Sequence, residues 1–226
     1  MMQNSTKKLL QKATNILLTF CLIVWFTTAT YAQSERYMGA MQKNLSLMES
    51  SFKNPADLLS LANNFERIAT AEKNQWLPYY YAAFCQVNLG FMEQDKDKVD
   101  AIADKANALI EKADSLMPNH SEIACIKSMI ATCHMLVNPM QRWQQYGTAS
   151  NNFIDAAIKQ NTNNPRPYYL RGQSLKNTPE NFGGGCKTAK PVLEMALEKF
   201  NAFSPANLLE PNWGKPQLEQ VLATCK

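Results

Sequence analysis

Histidine is almost missing from this chain: His120 and His134 are the only two in 226 residues. That excludes a histidine-rich metal site and leaves a nucleophile few bases to pair with. Cys133 and His134 are adjacent, and neighbours on a helix point about 100° apart, so they cannot face each other as such a pair. No two cysteines have a CxxC spacing, which removes a zinc ribbon and a thioredoxin-like motif. Glycine is scarce, 8 residues against 11 prolines, so the composition is neither collagen-like nor linker-like. Charged residues make only 19% and apolar ones 46%, which rules out a fully disordered chain. The apolar run Ile16–Phe26 is shorter than the about 20 residues a membrane span needs. No stretch alternates β-branched and polar residues between turns, so no sheet is expected. A nucleophile-elbow serine and an acid and base carboxylate couple are missing too. The sequence therefore predicts no enzyme, no cofactor and no metal.

What is present begins with an address. Lys7, Lys8 and Lys12 precede the run Ile16–Phe26, and Thr30-Tyr31-Ala32 follows it. This order predicts a secretory signal peptide over residues 1–32, cut after Ala32, and one mature domain over 33–226. Losing those lysines lowers the basic residues from 23 to 20 against 19 acidic, a net charge of +1. No basic surplus remains for nucleic acid or an anionic membrane surface. The expected location is the periplasm or beyond the cell, without stable membrane insertion. Cys85, Cys125, Cys133, Cys186 and Cys225 survive cleavage, an odd number. Cys186 and Cys225 flank the C-terminal section and form the expected disulfide, with five buried thiols as the alternative reading.

The mature chain reads as helical throughout. Asn54-Pro55 and Asn138-Pro139 each place a cap before a proline at a first helical position. Leu58, Leu61, Phe65 and Ile68 form one apolar stripe; Val99, Ile102, Ala106, Ile110 and Ala113 form another. Trp143, Tyr146, Ile154 and Ala157 continue the pattern. Pro78 is expected to open a helix that Gly90 ends. Gly183-Gly184-Gly185-Cys186-Lys187-Thr188 invites a phosphate-loop reading, but Cys186 interrupts the motif and no strand precedes it, so a turn is expected. Phe65, Ile110, Ile154 and Phe200 recur at intervals of 45, 44 and 46 residues. Ala83, Ser128 and Gly172 recur as small residues on the alternate helices. A repeat of this kind predicts stacked helical hairpins, each hiding its apolar face only against the next.

Ala106, Ile110, Ala113 and Pro118, together with Tyr168 and Gly172, resemble the signatures of the tetratricopeptide repeat family. The period near 45 exceeds that family's about 34, and Ala124 stands where an aromatic is usual. The C-terminal stretch from Thr178 to Gly185, with Asn212-Trp213-Gly214-Lys215, is similar to small exported bacterial helical-repeat proteins. The resemblance implies an all-α, right-handed superhelical array of stacked helical hairpins. It also implies a concave groove lined by Tyr80, Phe84 and Asn88, then Glu122, Cys125 and Met129, then Arg166, Tyr169, Gln173, Lys176 and Asn177. The function so implied is a non-catalytic periplasmic scaffold engaging a protein or peptide segment of unknown identity in that groove. The alternative is a small-molecule-binding accessory component of an envelope transport system. The tyrosines can equally be packing between hairpins.

Overall fold

The computed structural model describes residues 35–225, and the chain divides after Ala40 into two compact units. Of the first unit, residues 35–40 are described and are helical. The expected signal segment 1–32 lies outside the described residues. The second unit begins at Met41 and holds all the helices named below.

Its principal helices are α1 (Pro55–Ala71), α2 (Trp76–Met92), α3 (Lys96–Leu116), α4 (Ser121–Val137), α5 (Thr148–Gln160), α6 (Arg166–Asn177), α7 (Cys186–Ala202) and α8 (Lys215–Ala223). A helical turn, Pro139–Arg142, and a π-turn, Trp143–Gly147, connect α4 to α5. No strand occurs among the described residues, so the all-helical expectation holds.

The helix starts follow from local chemistry. The Asn54 side chain accepts from Ala56 N at 2.9 Å, and Pro55 takes the position where a missing N–H costs nothing. Asp95 caps α3 by accepting from Asp97 N at 3.1 Å. Two expected boundaries differ. α2 begins at Trp76, which leaves Pro78 inside the first turn, where no N–H is needed. Gly90 does not end α2, which continues to Met92. A Cβ on Gly90 would lie 2.5 Å from Cys133 Sγ, so this glycine permits close approach of α4 and is not a stop signal.

Packing follows the stripes. Leu58, Leu61 and Phe65 of α1, Ala103, Ala106 and Ile110 of α3, Ile154 of α5, and Leu193 and Phe200 of α7 are buried. Each large side chain among them contributes about 1.5–3 kcal/mol. α2 and α4 are buried on nearly every side. Successive helices pack together, and α4 also packs on α2 and on α6. α2, α4 and α6 begin at Trp76, Ser121 and Arg166, evenly spaced along the chain. The small residue of the last repeat serves the approach of α7, because a Cβ on Gly172 would stand 2.4 Å from Leu193 Cδ2.

Candidate functional site

Tyr80 on α2, Glu122 on α4 and Arg166 on α6 lie near the starts of three helices, of which α4 packs on both others, and all three residues are buried. Glu122 accepts from Tyr80 Oη at 3.1 Å, Asn164 Nδ2 at 2.7 Å and Arg166 Nη1 at 2.9 Å. Asn164 also donates to Ser121 Oγ, which in turn donates to Ala157 O. Burial pushes the Glu122 carboxyl up, and Arg166 beside it works the other way. The guanidinium lies against the rings of Phe203, Trp213 and Phe200, at 4.8, 5.3 and 5.9 Å from their centroids.

The remaining partners of this network come from the segment between α7 and α8. Arg166 Nη2 donates to Pro211 O, Tyr81 Oη donates to Leu209 O at 2.7 Å, and Trp213 Nε1 donates to Tyr80 Oη at 2.7 Å. The Trp213 ring stacks on Phe84 at 4.8 Å. Residues 203–214 thus lie as a strap against α2 and the start of α6, bonded to Tyr80, Tyr81 and Arg166, while Arg166 Nε is buried without a hydrogen-bond partner.

The expected groove residues therefore have unequal positions. Tyr80, Glu122 and Arg166 meet, but they face one another and the strap. Phe84, Cys125, Met129 and Tyr169 are buried. Asn88 donates to the carbonyl of Phe84 in its own helix. Gln173 and Lys176 are half-buried and Asn177 is exposed, farther along α6. Around Tyr80, Tyr81 and Arg166 the face is occupied by the chain's own strap.

The other sequence candidates are also accounted for. His134 Nδ1 lies 2.8 Å from Asp100 Oδ1 and Nε2 lies 3.5 Å from Asp104 Oδ1, while its ring stacks on Tyr146 at 5.0 Å. His120 is half-buried against Trp76, and burial pushes its pKa down. Cys133 is buried, and its thiol is pushed up to about 11, far from a reactive thiolate. Burial likewise pushes the Cys85 and Cys125 thiols up. Cys186 and Cys225 are joined by a disulfide, with Cα atoms 5.1 Å apart. In the glycine turn, Gly184 N donates to Pro179 O and Gly185 N to Leu175 O, so those N–H groups are spent and cannot cradle a phosphate. Gly183 and Gly185 adopt φ of 81° and 85°, which only glycine takes readily. Among the described residues no group of three or more His, Cys, Asp or Glu could hold a metal ion, and no helix is long and apolar enough to cross a membrane.

Two surface features bear on ligand binding. A shallow trough of about 430 Å³ runs between α1 and α3, floored by Leu59, Ala101 and Ile102. Its rim lysines are both committed, Lys98 to Asp95 at 3.1 Å and Lys105 to Glu66 at 2.6 Å. The second feature is the α4–α5 connection, where Met140 is 86% and Trp143 62% exposed. The sequence stripe predicts Trp143 inside; the π-turn puts it outside. Nothing in the sequence marks that widened turn beyond the cap Asn138 and the glycine at Gly147.

No family model matches the chain, and no curated protein matches it. A solved structure does: the HusA haemophore from Porphyromonas gingivalis is 36% identical, with a TM-score of 0.76, and the match covers 84% of this chain and 92% of that one. The similar protein is a haemophore, which with the strap against Tyr80, Tyr81 and Arg166 overturns the expectation of a protein segment held in a concave groove. At this identity and coverage the chain belongs to the family of the HusA haemophore.

Proposed function

We propose that this chain is an exported, non-catalytic carrier of a small apolar ligand of the haem class. The observation that carries this reading is the similarity to a haemophore over 92% of that protein's length at 36% identity. The alternative drawn from the sequence, a small-molecule binder at the envelope, is thereby favoured over the scaffold. Export is supported by Lys7, Lys8 and Lys12 ahead of Ile16–Phe26. The Cys186–Cys225 disulfide agrees with an oxidising compartment outside the cytoplasm. The carrier reading is supported by the buried thiols, whose raised pKa values oppose nucleophilic chemistry. We further read α1 to α7 as tetratricopeptide-like stacked hairpins, on the strength of the even spacing of Trp76, Ser121 and Arg166.

The test is titration of the mature chain with haemin, followed by the haemin absorbance and by co-elution on gel filtration. Saturation near one haemin per chain is the expected result. An unperturbed haemin spectrum with no co-elution overturns the proposal.

A further inference from the structure

We propose that the face formed by Met140 and Trp143 seats the flat apolar side of a haem-class ligand, an inference that rests on the haem reading above and adds to it the place of binding. Two exposed large apolar side chains three residues apart lie on the same side of a helical turn. Contiguous exposed apolar surface marks binding sites, and π-turns recur at functional ones.

The turn that carries them is clamped from beneath. Arg142 donates through Nη1 and Nη2 to Asp100 of α3, at 2.7 and 2.9 Å, and through Nη1 to the carbonyl of His134 at 3.1 Å. Asp100 is shared with His134 Nδ1, and the His134 ring stacks on Tyr146 of the same π-turn. Gly147 leans on α4 so closely that a Cβ there would stand 3.2 Å from Met135 Sδ and 4.0 Å from Trp143 Cβ. The indole is therefore presented outward from a fixed base.

The chemistry of the rim selects the occupant. Gln141, Gln144 and Gln145 are exposed and neutral, and the single cation of the turn, Arg142, is occupied by Asp100. A neutral, flat, polarisable patch suits the face of a conjugated macrocycle, stacking on an indole beside a thioether, while the carboxylate arms stay in water. The competing places fit worse. The inner face carries the strap at Tyr80 and Tyr81, and the lysines of the α1–α3 trough already hold acids.

Haemin titration of the mature chain and of Met140→Ala, Trp143→Ala and the double variant tests the placement, with circular dichroism as the check on folding. Both side chains are exposed, so helix content is expected to stay unchanged. The double variant should bind haemin at least about tenfold more weakly, a loss of about 1.4 kcal/mol. Lys105→Gln in the trough and Leu208→Ser on the exposed strap should bind as the parent does. Equal affinity in the double variant, with haemin still bound, overturns the placement and leaves the haem reading standing. A parent chain that fails to bind haemin overturns both. Sedimentation of the ligand-free chain adds the other occupant: a dimer that the double variant abolishes makes this face a self-interface and overturns the proposal.

Discussion

Arg166 is fully buried, and its charge is tolerable because Glu122, Pro211 and three aromatic rings surround it. Removing one partner of a buried pair costs more than the pair contributes, since the other charge stays desolvated. Arg166→Met should therefore destabilise the chain by about 3–5 kcal/mol near neutral pH, measured by urea unfolding. The sign of its pH dependence follows from Glu122. Burial raises that carboxyl in the fold, so with Arg166 gone the charged form is penalised and the protonated form is not. The variant should regain stability as pH falls, and a loss that is constant with pH would contradict a charged Glu122. Asp100 behaves oppositely. Its hydrogen bonds to Arg142, then to His134, lower it to about 2 from an ordinary 3.8. A lowered carboxylate lends stability above its unfolded pKa and loses it as pH falls through the folded one. The stability gap between the parent and Asp100→Asn should thus hold at neutral pH and close between about pH 4 and pH 2. A gap unchanged at pH 2 would show that Asp100 acts through shape and not through charge.

At the scale of the element, Gly172 offers the clearest contest between propensity and packing. Alanine is the better helix former by about 1 kcal/mol. Yet a Cβ at Gly172 would lie 2.4 Å from Leu193 Cδ2 and 3.3 Å from Leu193 N, and backbone cannot be moved as cheaply as a side chain. Gly172→Ala should destabilise by about 1–3 kcal/mol despite the propensity gain, and should cost less when made in a Leu193→Ala background, where the opposing Cδ2 is gone. A more stable Gly172→Ala chain would mean that α6 and α7 are not packed this tightly. Such positions are partly legible in the sequence. The stripes of α1, α3, α5 and α7 are visible because one face of each meets solvent, so apolar and polar residues separate. α2 and α4 are surrounded, and their apolar residues show no clean side. Gly90 misleads for the same reason: a glycine read as punctuation can equally be a contact point, and only the position of Cys133 tells which.

At the scale of the whole second unit, the features that escape the sequence are long-range. Residues 203–214 have no periodic pattern, and their anchors lie far back in the chain: Tyr81 to Leu209 spans 128 residues and Tyr80 to Trp213 spans 133. A resemblance to peptide-binding repeats puts Tyr80, Glu122 and Arg166 in a groove; in the structure Glu122 bonds both others, and the chain's own strap lies against them. The strap is held from both ends, by α7 and by the disulfide between Cys186, at the start of α7, and Cys225, just beyond α8. A cross-link closing 39 residues of chain restricts the unfolded state by about 4 kcal/mol. Cys186→Ser with Cys225→Ser should lower unfolding stability by up to that amount. The strap should also loosen before the helices do, because α8 loses its tether while α1 to α7 keep their mutual packing. Trp213 reports this directly, since it is half-buried against Phe84 and Tyr80. In the double serine variant its fluorescence should shift to the red at urea concentrations that leave the helical signal intact, whereas the parent should lose both signals together. Coincident transitions in the variant would show that the strap is held by the inner-face network alone.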